Sequence, residues 1–104
     1  IDIHRWRPIL GNRTGGLSGP AIRPIAVRMV WETAQVIHIP IIGMGGIASW
    51  EDAVEFFLAG ASAVAVGTAN FSDPGVTMKI CDGLAQYLQT RGLSHIQEII
   101  GKAL

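Results

Sequence analysis

Apolar positions along this chain change period several times, and the changes mark out its elements. Ile22, Ile25, Ala26, Met29, Val30, Thr33, Val36 and Ile37 recur at spacings of three and four, which places them on one face of a helix. Pro20 and Pro24 fall near its first turn, where a missing N–H is tolerated, and Ser18 is placed to cap it. Pro40-Ile41-Ile42 then reads as a short buried strand, broken by Gly43-Met44-Gly45-Gly46. A second helix opens at Ser49, with Asp52 completing a capping box, and stops at Gly60; it carries Ala53, Val54, Phe56, Phe57 and Leu58. Ala63-Val64-Ala65-Val66 is a second apolar strand, followed by the turn Gly67-Thr68-Ala69-Asn70. Asp73-Pro74 reads as N-cap and first residue of a helix with Val76, Ile80, Leu84, Tyr87 and Leu88 on one face, ending at Gly92. A last short helix begins at Ser94 with Gln97 as its capping partner. Residues 1–19 lack this periodicity and read as an irregular arm, with a short hairpin, leading into a glycine-rich loop.

Residues 20–104 therefore run helix, strand, helix, strand, helix. Strands that are apolar throughout are expected to be parallel and buried on both faces. Two of them cannot complete such a sheet, so the fold class is α/β, as about the last quarter of a larger α/β barrel. Each strand ends in a glycine turn just before a helix. Glycine lets the backbone approach an anion closely, and a helix start offers unpaired N–H groups. Two such turns side by side can hold one phosphate between them. In α/β barrels phosphate binds at the loops after the last two strands, beside a short extra helix, and Thr68 to Phe71 is placed to begin one.

Composition narrows the function classes. The 104 residues amount to one domain or part of one, and 49% are apolar, a high fraction for so short a chain. Surface that needs covering from outside the chain is expected. No apolar run approaches the 18 or so residues of a membrane span. The formal net charge is zero, and Arg5 and Arg7 are the only basic cluster, which argues against nucleic acid or anionic membrane as partner. The single cysteine excludes an internal disulfide and a multi-cysteine metal site, and it fits a reducing cytoplasm. The chain starts at Ile1 with no initiator methionine, as a fragment or processed product would.

Several conspicuous residues have structural explanations. Arg28 and Glu32 lie one helical turn apart as a surface pair. Glu51 and Asp52 complement a helix dipole. Cys81 lies within the Val76–Ile80–Leu84 helix as a small packed side chain. His4, His38 and His95 share no metal spacing, and Trp6, Trp31 and Trp50 read as packing residues. No lysine or arginine lies within either glycine turn.

Three segments carry a family resemblance. Gly15-Gly16-Leu17-Ser18-Gly19-Pro20-Ala21-Ile22-Arg23-Pro24, Gly43-Met44-Gly45-Gly46-Ile47, and Ala59 to Val64 with Val66 to Phe71 occur in the order and spacing of the C-terminal part of dihydroorotate dehydrogenase. The chain most resembles the NAD-linked class 1B catalytic subunit. The resemblance implies the last helices and the seventh and eighth strands of an FMN-binding (β/α)8 TIM barrel that oxidises dihydroorotate to orotate in pyrimidine biosynthesis. It implies that Gly19 sits against the flavin, and that Gly45, Gly46, Gly67 and Thr68 supply amides to the FMN phosphate. It also implies a homo-oligomer with a partner subunit that carries FAD and an iron–sulfur cluster. The family's cysteine base, flavin-side lysine and orotate-binding asparagines precede the matched region. No catalytic residue is therefore expected in these 104 positions, and the chain alone is expected to be inactive.

Met44 and Thr68-Ala69-Asn70-Phe71 favour class 1B over two related FMN barrels, the class 2 dihydroorotate dehydrogenases and the flavin domain of dihydropyrimidine dehydrogenase. A reading of another kind is an inert barrel fragment that self-associates to cover its open sheet edges.

Overall fold

The computed structural model describes residues 1–104 in the order α1 (Arg23–Ala34), β1 (Ile42–Met44), α2 (Trp50–Leu58), β2 (Ala63–Ala65), α3 (Ala69–Ser72) and α4 (Val76–Thr90). Single 3-10 turns at Pro20–Ile22 and Ile96–Glu98 flank this series. β1 and β2 pair in parallel, with Ile42 opposite Ala63, Gly43 opposite Val64 and Met44 opposite Ala65. The parallel pair and the short helix after β2 agree with the sequence pattern, giving an α/β arrangement around a two-stranded sheet.

α2 is the centre of the core. Asp52, Ala53, Val54, Phe56 and Phe57 are all buried, so the helix is covered around most of its circumference by α1, the sheet and α4. Ser49 and Asp52 form the expected capping box at its start. At its end Gly60 takes a left-handed φ of 108°. Gly60 and Ala61 then donate back to the Phe57 and Phe56 carbonyls, at 3.0 and 2.9 Å. The C-terminal tail completes this end: Gly101 and Ala103 donate to the Phe57 and Leu58 carbonyls, at 2.9 and 3.0 Å. The Trp31 indole ties the tail to α1 through a 3.0 Å bond to the Ala103 carbonyl.

α4 joins α2 through an aromatic contact seated on a glycine. The Trp50 and Tyr87 ring centroids are 5.6 Å apart, and the Arg91 guanidinium lies 4.8 Å from the Tyr87 centroid. Gly83 leaves room for the indole, because a Cβ there would come within 2.2 Å of Trp50 Cδ1.

Several expectations are corrected. The strands are covered on one face only. Gly43 is buried against Phe56, but Ile42 and Met44 project from the other face and are each 62% exposed, because nothing in the chain lies over that side. Ser18 caps nothing: Gly19 precedes the 3-10 turn, and α1 starts only at Arg23. α1 ends at Ala34, where the Thr33 carbonyl accepts from both Val36 and Ile37, and Ile25 and Met29 are left exposed. Asp73 is two residues short of an N-cap position; the turn through Pro74 and Gly75 comes first, and the Asp73 carboxylate accepts from the Gly75 N–H at 3.0 Å.

In the last turn Glu98 replaces Gln97 as the capping partner, accepting from Ser94 and His95 at 2.7 and 2.9 Å. Trp6 does not pack: it sits at the tip of the arm with a φ of 51°, 89% exposed, where one antiparallel bridge joins Asp2 to Arg7. Cys81 is exposed, being one residue, about 100° of helical turn, off the stripe that starts with buried Val76 and Ile80.

The Trp50–Gly83 contact makes a stability prediction. Alanine at Gly83 gains about 1 kcal/mol of helix propensity but forces a methyl against the root of the indole, an overpacking cost of about 1–3 kcal/mol. Gly83→Ala is therefore expected to lower the urea midpoint, while Gly16→Ala, in open space on the arm, leaves it unchanged.

Candidate functional site

Because β1 and β2 are parallel and in register, the turns that follow them emerge side by side at the same end of the sheet. The loop before α1 closes in beside them. Between the three lies a cleft of about 550 Å³, and Gly19, Gly45, Gly46, Gly67 and Thr68 all line it. The structure thus brings the five candidate cofactor-binding positions together around one cleft.

The backbone donors at this cleft have no acceptor inside the protein. The N–H groups of Gly45, Gly46, Gly67 and Thr68 make no hydrogen bond to any backbone or side-chain oxygen of the chain. Gly46 shows why glycine is needed. Its φ is 72°, and a Cβ would fall 2.6 Å from the Gly19 carbonyl oxygen and 3.0 Å from the Arg23 Cβ. A side chain there would strain the backbone and push the Gly19 loop away from the turn.

A buried carboxylate holds this region in place. Asp52 is 7% exposed; its Oδ2 accepts from the Ala48 and Ser49 N–H groups at 2.9 and 3.0 Å, and its Oδ1 accepts from Arg23 Nη1. The Arg23 Nε lies 3.5 Å from Glu55 Oε2, at ion-pair distance but outside hydrogen-bond geometry. Arg23 follows the 3-10 turn behind Gly19, and Asp52 belongs to the helix that follows Gly46. The pair therefore sets the Gly19 loop against the Gly45–Gly46 turn. Asp52 thus does more than complement a dipole, and the 29 residues separating it from Arg23 gave no local signal of the pairing.

No lysine or arginine lines the cleft, but a carboxylate does, that of Asp73. Lys79 Nζ donates to Asp73 Oδ2 at 2.5 Å, and the Gly75 N–H donates to Oδ1. The Lys79 bond foremost, then the Gly75 N–H, hold the Asp73 carboxyl below the ordinary carboxylate range. The same turn contains Asn70, whose side-chain amide donates to the Val66 and Gly67 carbonyls. Sequence reasoning placed Asn70 in the turn without a role. Free amides with no cationic side chain fit the terminal oxygens of a phosphate ester, bound by backbone rather than by ion pairing.

The depressed Asp73 carboxyl sets a pH dependence. A carboxyl with a lower folded than unfolded pKa stabilises the fold above its unfolded value and loses that contribution as pH falls through the folded one. Asp73→Asn is expected to lower stability at neutral pH and to flatten its decline below about pH 5, so that the two proteins converge in acid, as read from thermal melts across the acid range.

Comparison with known proteins identifies the family. The family model for dihydroorotate dehydrogenase matches residues 1–88. The chain is 57% identical over 101 residues to the dihydroorotate dehydrogenase B (NAD(+)) catalytic subunit of Bacteroides fragilis, covering 97% of this chain and 33% of that protein. It is 59% identical over 101 residues to the protein of the same name from Porphyromonas gingivalis, with the same coverage. It spans about a third of the length of the curated relatives it matches. Among solved structures, DHODH from Eimeria tenella in complex with ferulenol superimposes with a TM-score of 0.80 at 31% identity, over 90% of this chain and 26% of that one. The ligand-free form of that protein matches with the same TM-score at 34% identity. The chain belongs to the dihydroorotate dehydrogenase family.

Proposed function

We propose that this chain is the FMN phosphate-binding, C-terminal portion of a (β/α)8 barrel, in the catalytic subunit of an NAD-linked class 1B dihydroorotate dehydrogenase. Its similarity to subunits of that name, over nearly its whole length, supports the reaction class: oxidation of dihydroorotate to orotate in pyrimidine biosynthesis. The observation that carries its own share of the work is the set of four unpaired N–H groups on two adjacent turns around one cleft. Those of Gly45 and Gly46 meet the phosphate from one side and those of Gly67 and Thr68 from the other. Gly19, whose Cβ position is open, lies against the flavin end. Held by these amides, FMN would supply the hydride acceptor for the reaction.

The chain's residues bind and orient the cofactor's tail. The carboxylate in the cleft lining, that of Asp73, is engaged by Lys79 and the Gly75 N–H, and the group that takes the substrate's proton is assigned to another part of the enzyme. The exposed Ile42 and Met44 face then fits the barrel interior, which further strands would complete. A partner subunit carrying FAD and an iron–sulfur cluster, a homo-oligomeric assembly and a cytoplasmic location complete the proposal.

Amide contacts of about 1–3 kcal/mol each must offset the cost of ordering a cofactor, so the chain alone is expected to bind FMN in the micromolar to millimolar range. Flavin fluorescence titration should show this binding, and Gly46→Ala should weaken it about tenfold or more while Gly16→Ala does not. Dihydroorotate oxidation by the chain alone should be undetectable. Measurable turnover would overturn the assignment of the base to another part of the enzyme.

A further inference from the structure

Asn70 lies in α3, directly after the Gly67–Thr68 turn, but is not part of the cleft lining, and its side chain is half-buried. Its Nδ2 donates to two successive backbone carbonyls, Val66 at 2.9 Å and Gly67 at 3.0 Å. Both partners are acceptors only, so the chemistry of the contact fixes which end of the amide faces them. In a trans peptide the C=O and the following N–H point in opposite directions across one rigid plane. The Val66 carbonyl shares its plane with the Gly67 N–H, and the Gly67 carbonyl shares its plane with the Thr68 N–H. Holding both carbonyls to one side therefore turns both N–H groups to the other. Both N–H groups have no acceptor in the protein, and both residues line the cleft from which Asn70 is absent.

From this geometry we infer that Asn70 is the positioning residue of the anion cradle: its side-chain amide clamps two peptide planes so that the Gly67 and Thr68 N–H groups converge on the cofactor's phosphate. The inference rests on the phosphate-binding reading of the cleft and goes beyond it by assigning a side chain to a function otherwise carried by backbone. Glycine at position 67 makes such a clamp necessary. Its Cβ position is open to 4 Å; the Asn70 backbone N–H also holds the Gly67 carbonyl at 3.0 Å, but the Val66 carbonyl is held by the side chain, so without that amide the Gly67 N–H is free to turn out of line and the Thr68 N–H is held less firmly. The second turn is built differently. Gly45 and Gly46 are wedged against Ala26 and Arg23 of α1, and close packing orients their amides with no side-chain bond.

The test compares FMN with riboflavin, which carries the same ring and ribityl chain without the phosphate. Backbone amide shifts of the full 104-residue chain are followed by NMR during titration with each. In the unsubstituted chain the Gly45, Gly46, Gly67 and Thr68 amides should shift with FMN far more than with riboflavin. In Asn70→Ala the Gly67 response should collapse and that of Thr68 weaken, the Gly67 carbonyl keeping its backbone bond, while those of Gly45 and Gly46 persist. The preference for FMN over riboflavin should fall about tenfold, with riboflavin affinity unchanged.

Asn70→Gln, which keeps the amide, should restore part of the preference. Asn70→Ser, too short to reach both carbonyls, replaces the alanine variant if that one does not fold. A purely structural role would lower the affinity for both ligands alike, and that result would overturn the assignment to Asn70. So would an unaltered Gly67 response in a folded variant. If the unsubstituted chain shows no preference for FMN, the phosphate cradle itself is refuted, a result distinct from failure of the clamp alone.

Discussion

The Asp52 carboxylate, almost wholly withdrawn from solvent, receives two backbone N–H groups at the start of α2 and the guanidinium of the first residue of α1. Charge-assisted hydrogen bonds of this kind contribute about 1.5–3 kcal/mol each, and a buried carboxylate is tolerable only when its lone pairs are occupied. Arg23 is about a third exposed, so its share of the ion pair is screened and the two N–H bonds carry more of the energy. The geometric consequence outweighs the energetic one. α1 and α2 come from segments far apart in the chain, and this contact sets the Gly19 loop against the Gly45–Gly46 turn. The cleft exists because those two backbones are held within van der Waals distance.

A site built from backbone donors has particular properties. On the proposed reading, its affinity for an anion would come from N–H groups whose directions are set by peptide planes, so it would demand glycine where planes crowd and a clamp where they do not. Gly46 is the crowded case and Gly67 the loose one. With no cation in the lining, and with the Asp73 carboxylate nearby occupied by Lys79, selectivity rests on the shape and direction of the donors more than on charge. An ester phosphate at the end of a larger cofactor suits such a site, because the rest of the molecule supplies binding energy that the cradle does not.

The apolar surplus in the composition has a visible location. Only 13 of the 104 residues are buried, far fewer than a chain that is 49% apolar could supply. The remainder lies on the open face of the sheet at Ile42 and Met44, on α1 at Ile25 and Met29, and along the arm from Ile1 to Leu17. This distribution leaves the apolar face of the sheet open, in a chain that spans about a third of the length of its relatives.

Local signals were legible wherever a few neighbouring residues decide the outcome. The Ser49–Asp52 capping box, the stops at Gly60 and Gly92, the Val76–Ile80–Leu84 stripe and the two glycine turns were all readable, because capping and helical periodicity act within a turn or two of chain. Their conjunction into one cleft was inferred from the order of elements and from the family's motifs. Contacts across the fold left no trace in the order of residues. The Arg23–Asp52 pair, the indole of Trp50 over Gly83, and the exposure of Ile42, Trp6 and Cys81 depend on which surfaces meet in three dimensions. Burial is a property of neighbours in space, and an apolar residue reads the same along the chain whether or not anything covers it.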